Sequence, residues 1–125
     1  MVKTVELGPV TSDWLAWELD GNHQPSRENK DIAVSQTLVD GSVVSENTGG
    51  EIQLYAAATN EVAIGIYIGK PITTTSSDTE KGVIVARDAR IVEENITFKS
   101  GLTDTQKAAA MADLAKLSIT PVRLA

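Results

Sequence analysis

The chain has 125 residues, a formal charge of -6 and no cysteine; this bounds it to one domain with a modest core and removes disulfide and thiolate chemistry. Its 42% hydrophobic and 22% charged residues describe a globular chain rather than a disordered one. The eleven basic residues are scattered, so no patch is available to neutralise a phosphate backbone, and nucleic acid is excluded as an expected partner.

The opening MVKTVELGPV lacks the apolar core and small-residue cleavage site of a signal peptide. No stretch reaches the ~20 apolar residues of a membrane span. The expectation is a soluble protein made in a cytoplasm, with no membrane partner, and the sequon Asn95-Ile96-Thr97 is then a chance match.

Residues 1–31 hold Trp14, Trp17, the only histidine (His23) and two of the four prolines, without sustained periodicity. They predict a flexible N-terminal arm, followed by a β-rich body over 32–125. Ser12 to Leu19 is its one local element. A helical turn capped by Ser12 or Asp13 would put Trp14 and Trp17 on one face; an extended segment fits equally well. From Ile32 the texture is β. The stretch IAVSQTL alternates, Asp40-Gly41 supplies a turn, and SVVS follows as the next strand. After a second turn at Asn47–Gly50, EIQLYAA reads as a strand. In EVAIGIYIG, Val62, Ile64, Ile66 and Ile68 are assigned one face, with Ala63, Gly65 and Tyr67 on the other. Small residues on that second face predict close approach of another backbone. TTTSSDTEKG, residues 73–82, is a polar loop, and VIVARDARIV and NITF complete the strands. Thr103 and Gln106 fit a capping box ahead of the apolar stripe Ala108, Met111, Leu114, Ala115 and Leu117 of a short helix. Lys116 lies near the helix C-terminus, where the helix dipole favours it. ITPVRL closes the chain as a strand in which Pro121 implies an edge position. The fold class is thus mainly β with one short C-terminal α-helix.

Catalytic and metal chemistry find no constellation. His23 is alone and reads as a surface residue, and no Ser or Cys motif completes a nucleophilic arrangement with Asp20. Glu93-Glu94 reads as a solvated turn or edge, since strand neighbours point to opposite faces. Arg87, Asp88 and Arg90 are candidates for ion pairs at a sheet edge or subunit contact. No catalytic, cofactor-binding or metal residue is assigned, and an enzyme is not expected. The tryptophans carry more information. Rigid aromatics dominate interfaces when they enter a pocket, so Trp14 and Trp17, with Leu15 and Leu19, are read as partner contacts ahead of the alternative that the indoles complete the core.

SREN before the first strand, QTLVDGSVV, GEIQLY followed by EVAIGIY, VIVARDARIV and the closing GLTDTQKAAAMADLAKLSITPVR occur in an order that resembles the head decoration proteins of tailed bacteriophages, the family related to the lambda head decoration protein D. The resemblance covers about Pro25 to Arg123. It implies a β-clip-like domain, a homotrimer on the outer surface of the expanded capsid at threefold positions, and the major coat protein as partner. It implies stabilisation of the head against packaged DNA, no catalysis and no cofactor. The virion is the implied location. It also implies an N-terminal segment that orders against the coat protein, a role carried onto the arm before Ser26 and onto Ser26, Arg27, Glu28 and Asn29. Ser118, where the family often has Gly, and Pro121 depart from the pattern, and the Trp14–Trp17 stretch has no counterpart. The alternative is a β-clip ligand-binding or accessory domain, similar to small domains of some sugar-acid enzymes.

Overall fold

The computed structural model describes residues 14–18 and 26–122. Among the described residues the elements follow in the order β1 (Leu15–Glu18), β2 (Arg27–Ile32), β3 (Thr37–Leu38), β4 (Val43–Glu46), β5 (Ile52–Leu54), β6 (Ala63–Ile68), β7 (Ile72–Thr73), β8 (Glu80–Val85), β9 (Ala89–Ile91), α1 (Asp104–Ala115) and β10 (Ile119–Pro121). The domain is mainly β with one short C-terminal helix.

Five strands close into a barrel in the order β2-β5-β4-β6-β8. Each contributes one side chain to a shared interior cluster: Ile32, Ile52, Val44, Tyr67 and Ile84. The residues beside them on β4, β6 and β8, namely Val43, Ile66 and Val85, join a second cluster on the barrel's outer wall. That cluster is covered by Ala110 and Leu114 of α1 and by Ala89, Ile91 and Ile119 of a three-stranded sheet, β1-β9-β10. Both faces of these barrel strands are therefore dry. Gly65 of β6 sits where the walls meet: a Cβ built there would lie 2.5 Å from the Val85 carbonyl oxygen. The close backbone approach expected from the small residues of β6 is present.

The helix begins as its sequence predicts. The Gln106 amide donates to Thr103 Oγ1 at 3.2 Å, and the Thr103 amide donates to Gln106 Oε1 at 2.9 Å, satisfying two donors that a helix start otherwise leaves unpaired. Lys116 is the C-cap. Pro121 lies in β10, which pairs only with β9 and is a sheet edge.

Five sequence expectations need correction. The first body strand is Arg27–Ile32, not Ile32–Leu38, so a boundary at residues 31 and 32 passes through β2. Ala33 to Ser35 instead form a turn in which Ser35 has φ 58°. The segments flanking Asp40-Gly41 do not pair with each other: β3 pairs β7, and β4 pairs β5 and β6. The polar stretch 73–82 is not all loop, because Thr73 belongs to β7 and Glu80 to Gly82 open β8. A β-bulge opposite Val44 and Ser45 breaks the alternation of β6, so Ile66 and Ile68 join the outer cluster while Ile64 packs with the barrel interior; an extra residue reverses side-chain parity along a strand. NITF forms a single bridge from Thr97 to Ser42 instead of a strand.

Candidate functional site

The segment before the barrel is part of the fold wherever it is described. β1 is extended and pairs antiparallel with β9, aligning Leu15 with Ile91 and Trp17 with Arg90. Trp14 and Trp17 are three residues apart. A helix would place them on one face; here only Trp17 lies in β1, and the two indoles stand in opposite environments. Trp14 is fully buried in the outer-wall cluster. Its indole nitrogen donates a 2.6 Å hydrogen bond to Asp40 Oδ1, and its carbonyl accepts from the Val92 amide at 2.7 Å. Gly41 makes the seat possible, since a Cβ there would stand 2.9 Å from Trp14 Cδ1. The reading of Trp14 as a partner contact is therefore corrected: it is a core residue, because Asp40 satisfies the one polar atom that would oppose its burial.

A β-bulge between Leu15 and Trp17 turns the second indole outward. Leu15 packs against the core, whereas Trp17 is 52% exposed. Leu19 and His23 lie outside the described residues.

Ser26 to Asn29 split three ways. Ser26 is fully buried: its hydroxyl donates to Glu18 Oε2 at 2.6 Å, and its carbonyl accepts from the Ala86 amide at 2.7 Å. Arg27 clamps the same carboxylate, Nη2 donating to Glu18 Oε1 at 2.6 Å and Nε to Oε2 at 3.0 Å. These hydrogen bonds from Arg27 hold the Glu18 carboxyl below its ordinary value, against the opposing effect of burial. Glu28 accepts from Arg87 Nη2 at 2.6 Å and pairs with Lys30, which reaches Glu46 at 2.7 Å. The hydrogen bond to Glu46 holds the Lys30 ammonium above its ordinary value. Asn29 alone of the four is exposed. Ser26 and Arg27 thus fasten β1 to the barrel, and Glu28 joins an ion-pair chain with Arg87, Lys30 and Glu46. Glu18, the partner of Ser26 and Arg27, and Asp40, the partner of Trp14, were unforeseen, since each lies too far along the chain to be read from local pattern.

Among the described residues, no group of three or more His, Cys, Asp or Glu is placed to hold a metal ion. Glu93 and Glu94 occupy an exposed 3-10 turn, Glu93–Asn95. What decides the family is a match over nearly the whole chain: the family model of the bacteriophage lambda head decoration protein D aligns with residues 4–119. The chain belongs to that family. No curated protein matches it. The head decoration family is a structural one, and it places the chain with proteins of the phage head; the aligned span includes β1, the latch around Glu18 and the barrel.

Proposed function

We propose that the protein binds as a homotrimer to the major coat protein on the outer surface of the expanded head, at threefold positions, and reinforces the shell against the pressure of packaged DNA. The observation that carries this reading is the family match over residues 4–119. It favours decoration over a ligand-binding accessory domain. The net charge of -6 suits a surface that never meets DNA. Assembly in the host cytoplasm and the absence of catalysis belong to the same reading.

The residues proposed to meet the coat protein are those that remain available. Trp17 and Asn29 are exposed, whereas Trp14 and Ser26 are committed to the interior. The arm that binds is shortened accordingly to the residues before Trp14. Three copies of a weak attachment combine into a strong one when the shell presents three equivalent sites at matching spacing. Electron microscopy of expanded heads assembled with and without the protein tests the reading. Added trimeric density on the outer surface at threefold positions is expected; shells identical in the two preparations would overturn it.

A further inference from the structure

The five strands of the barrel are not joined alike. β2 pairs with β8 along its whole length, from Arg27 opposite Val85 to Ile32 opposite Glu80. Antiparallel ladders also join β8 to β6, β6 to β4 and β4 to β5. Between β2 and β5 the pairing is parallel and confined to Ile32 and Ile52. Packing follows the same division. β4, β6 and β8 supply residues to both core clusters, whereas β2 and β5 supply them to the interior cluster and not to the outer-wall one. Past Ile32 the chain turns away from β5 through Ser35, and a side chain continues what the strand does not. Gln36 Oε1 accepts from the Leu54 amide at 2.8 Å. Beside it the Ala33 amide donates to the Ile52 carbonyl at 2.8 Å, and Lys30 Nζ reaches across to Glu46 of β4 at 2.7 Å. Gln36 is itself fixed by its backbone, whose amide donates to Thr74 Oγ1 and whose carbonyl accepts from the Thr74 amide, both at 2.8 Å.

We propose that the seam between β2 and β5 is the line along which the barrel opens, and that Gln36 and the Lys30–Glu46 pair form the clasp that closes it. Opening unpairs the Ala33 and Leu54 amides and lets water reach Ile32 and Ile52, while β4, β6 and β8 stay joined beneath the outer-wall cluster. Local openings of this kind begin where buried apolar contacts and cross-strand bonds are fewest. Gln36 is the stronger half of the clasp, because an amide that loses its acceptor inside a fold keeps the penalty of its desolvation. The Lys30–Glu46 pair is the weaker half. Both of its side chains are partly exposed, so it is screened by salt, and ionic strength sets how often the seam opens.

The test is hydrogen exchange of single amides in the folded full chain, followed by NMR at low and high salt. The Ala33 and Leu54 amides are expected to exchange roughly tenfold or more faster than the Tyr67 amide, which donates to the Ser42 carbonyl within the closed walls. Gln36→Leu should speed exchange at Leu54 by roughly a further tenfold, the scale of one lost hydrogen bond. Gln36→Glu keeps an acceptor and should retain most of the protection. Glu46→Gln should speed both seam amides roughly threefold at low salt and leave them near the parent at high salt. Lys81→Gln breaks a pair with Asp31 that lies between β2 and β8 and should change neither. If Ala33 and Leu54 exchange as slowly as Tyr67 in the parent, or if Gln36→Leu speeds all three alike, the barrel opens as one unit and the inference is wrong. Should Gln36→Leu not fold, the salt dependence of the parent and Glu46→Gln carry the test, and seam amides indifferent to both overturn the clasp.

Discussion

Truncating Trp14 and truncating Trp17 remove the same indole from opposite environments. Trp14→Ala empties a fully buried site and leaves the Asp40 carboxylate without its indole donor; core Trp→Ala changes cost about 3–5 kcal/mol. The unfolding midpoint is expected to fall by roughly 10 °C or more, whereas Trp17→Ala should leave it nearly unchanged. Equal melting of the two variants in differential scanning calorimetry would return Trp14 to the surface. Glu18 makes a second prediction at this scale. Its folded pKa lies below its ordinary value of 4.5 because Arg27 donates to it. A group depressed in the folded state stabilises the protein above its unfolded pKa and loses that contribution as pH falls through the folded value. Glu18→Gln should therefore cost about 1–3 kcal/mol at neutral pH, the range for hydrogen bonds to a charged group. The gap to the parent should close progressively below pH 4.5. A gap that is constant from pH 7 to pH 3 would mean that the ionised carboxylate is not what Arg27 and Ser26 hold.

At the scale of elements, β6 is the least replaceable strand, since both its faces are packed. Gly65→Ala would drive a Cβ against the backbone oxygen of Val85 at 2.5 Å, which no side-chain rotation relieves, and overpacking of this kind costs about 1–3 kcal/mol or more. Gly82→Ala meets Ile32 Cδ1 at 2.8 Å, the end of a side chain, and should be the milder of the two in urea unfolding; the reverse order would place the tight contact elsewhere. Gly65 was legible in the sequence, as were the capping box of α1 and the edge position of β10, because capping boxes, strand composition and proline act locally; the helix's apolar stripe was legible only in part, since Ala108 and Ala115 are exposed, Ala110 is buried instead and Leu117 lies beyond the helix. β2 was not. Its neighbours across the barrel are charged: Glu28 holds Arg87, Lys30 holds Glu46 and Asp31 meets Lys81. A strand stabilised by polar pairs from distant segments carries no hydropathy signal, so RENK was assigned to the arm. The seat of Trp14 was hidden for the same reason, as Asp40 lies 26 residues along the chain. Asp40-Gly41 was correctly a turn, but its work is to receive the indole rather than to join two paired strands.

For the whole molecule, the start of the described body at Trp14 determines which truncation is informative. Removing residues 1–25 deletes β1, Trp14 and Glu18, and with them part of the core and the latch to Ser26 and Arg27. Such a chain would lose capsid binding through unfolding, whatever the arm does. Removing residues 1–13 keeps every hydrogen bond and core contact described for the body. If the arm contacts the coat protein, this shorter truncation should lower affinity for expanded heads while the unfolding midpoint stays close to that of the full chain. Ordering an arm costs about 1–2 kcal/mol per residue, so only a segment that gains specific contacts on the capsid can contribute net affinity. If the protein binds as the proposed homotrimer, three arms amplify whatever each gains, and the loss should then be steeper for the trimer than for a single copy. Titration of heads with the truncated and full chains, read alongside calorimetry of each, separates the cases. Unchanged affinity with an unchanged midpoint would overturn the proposal that residues 1–13 contribute to the attachment.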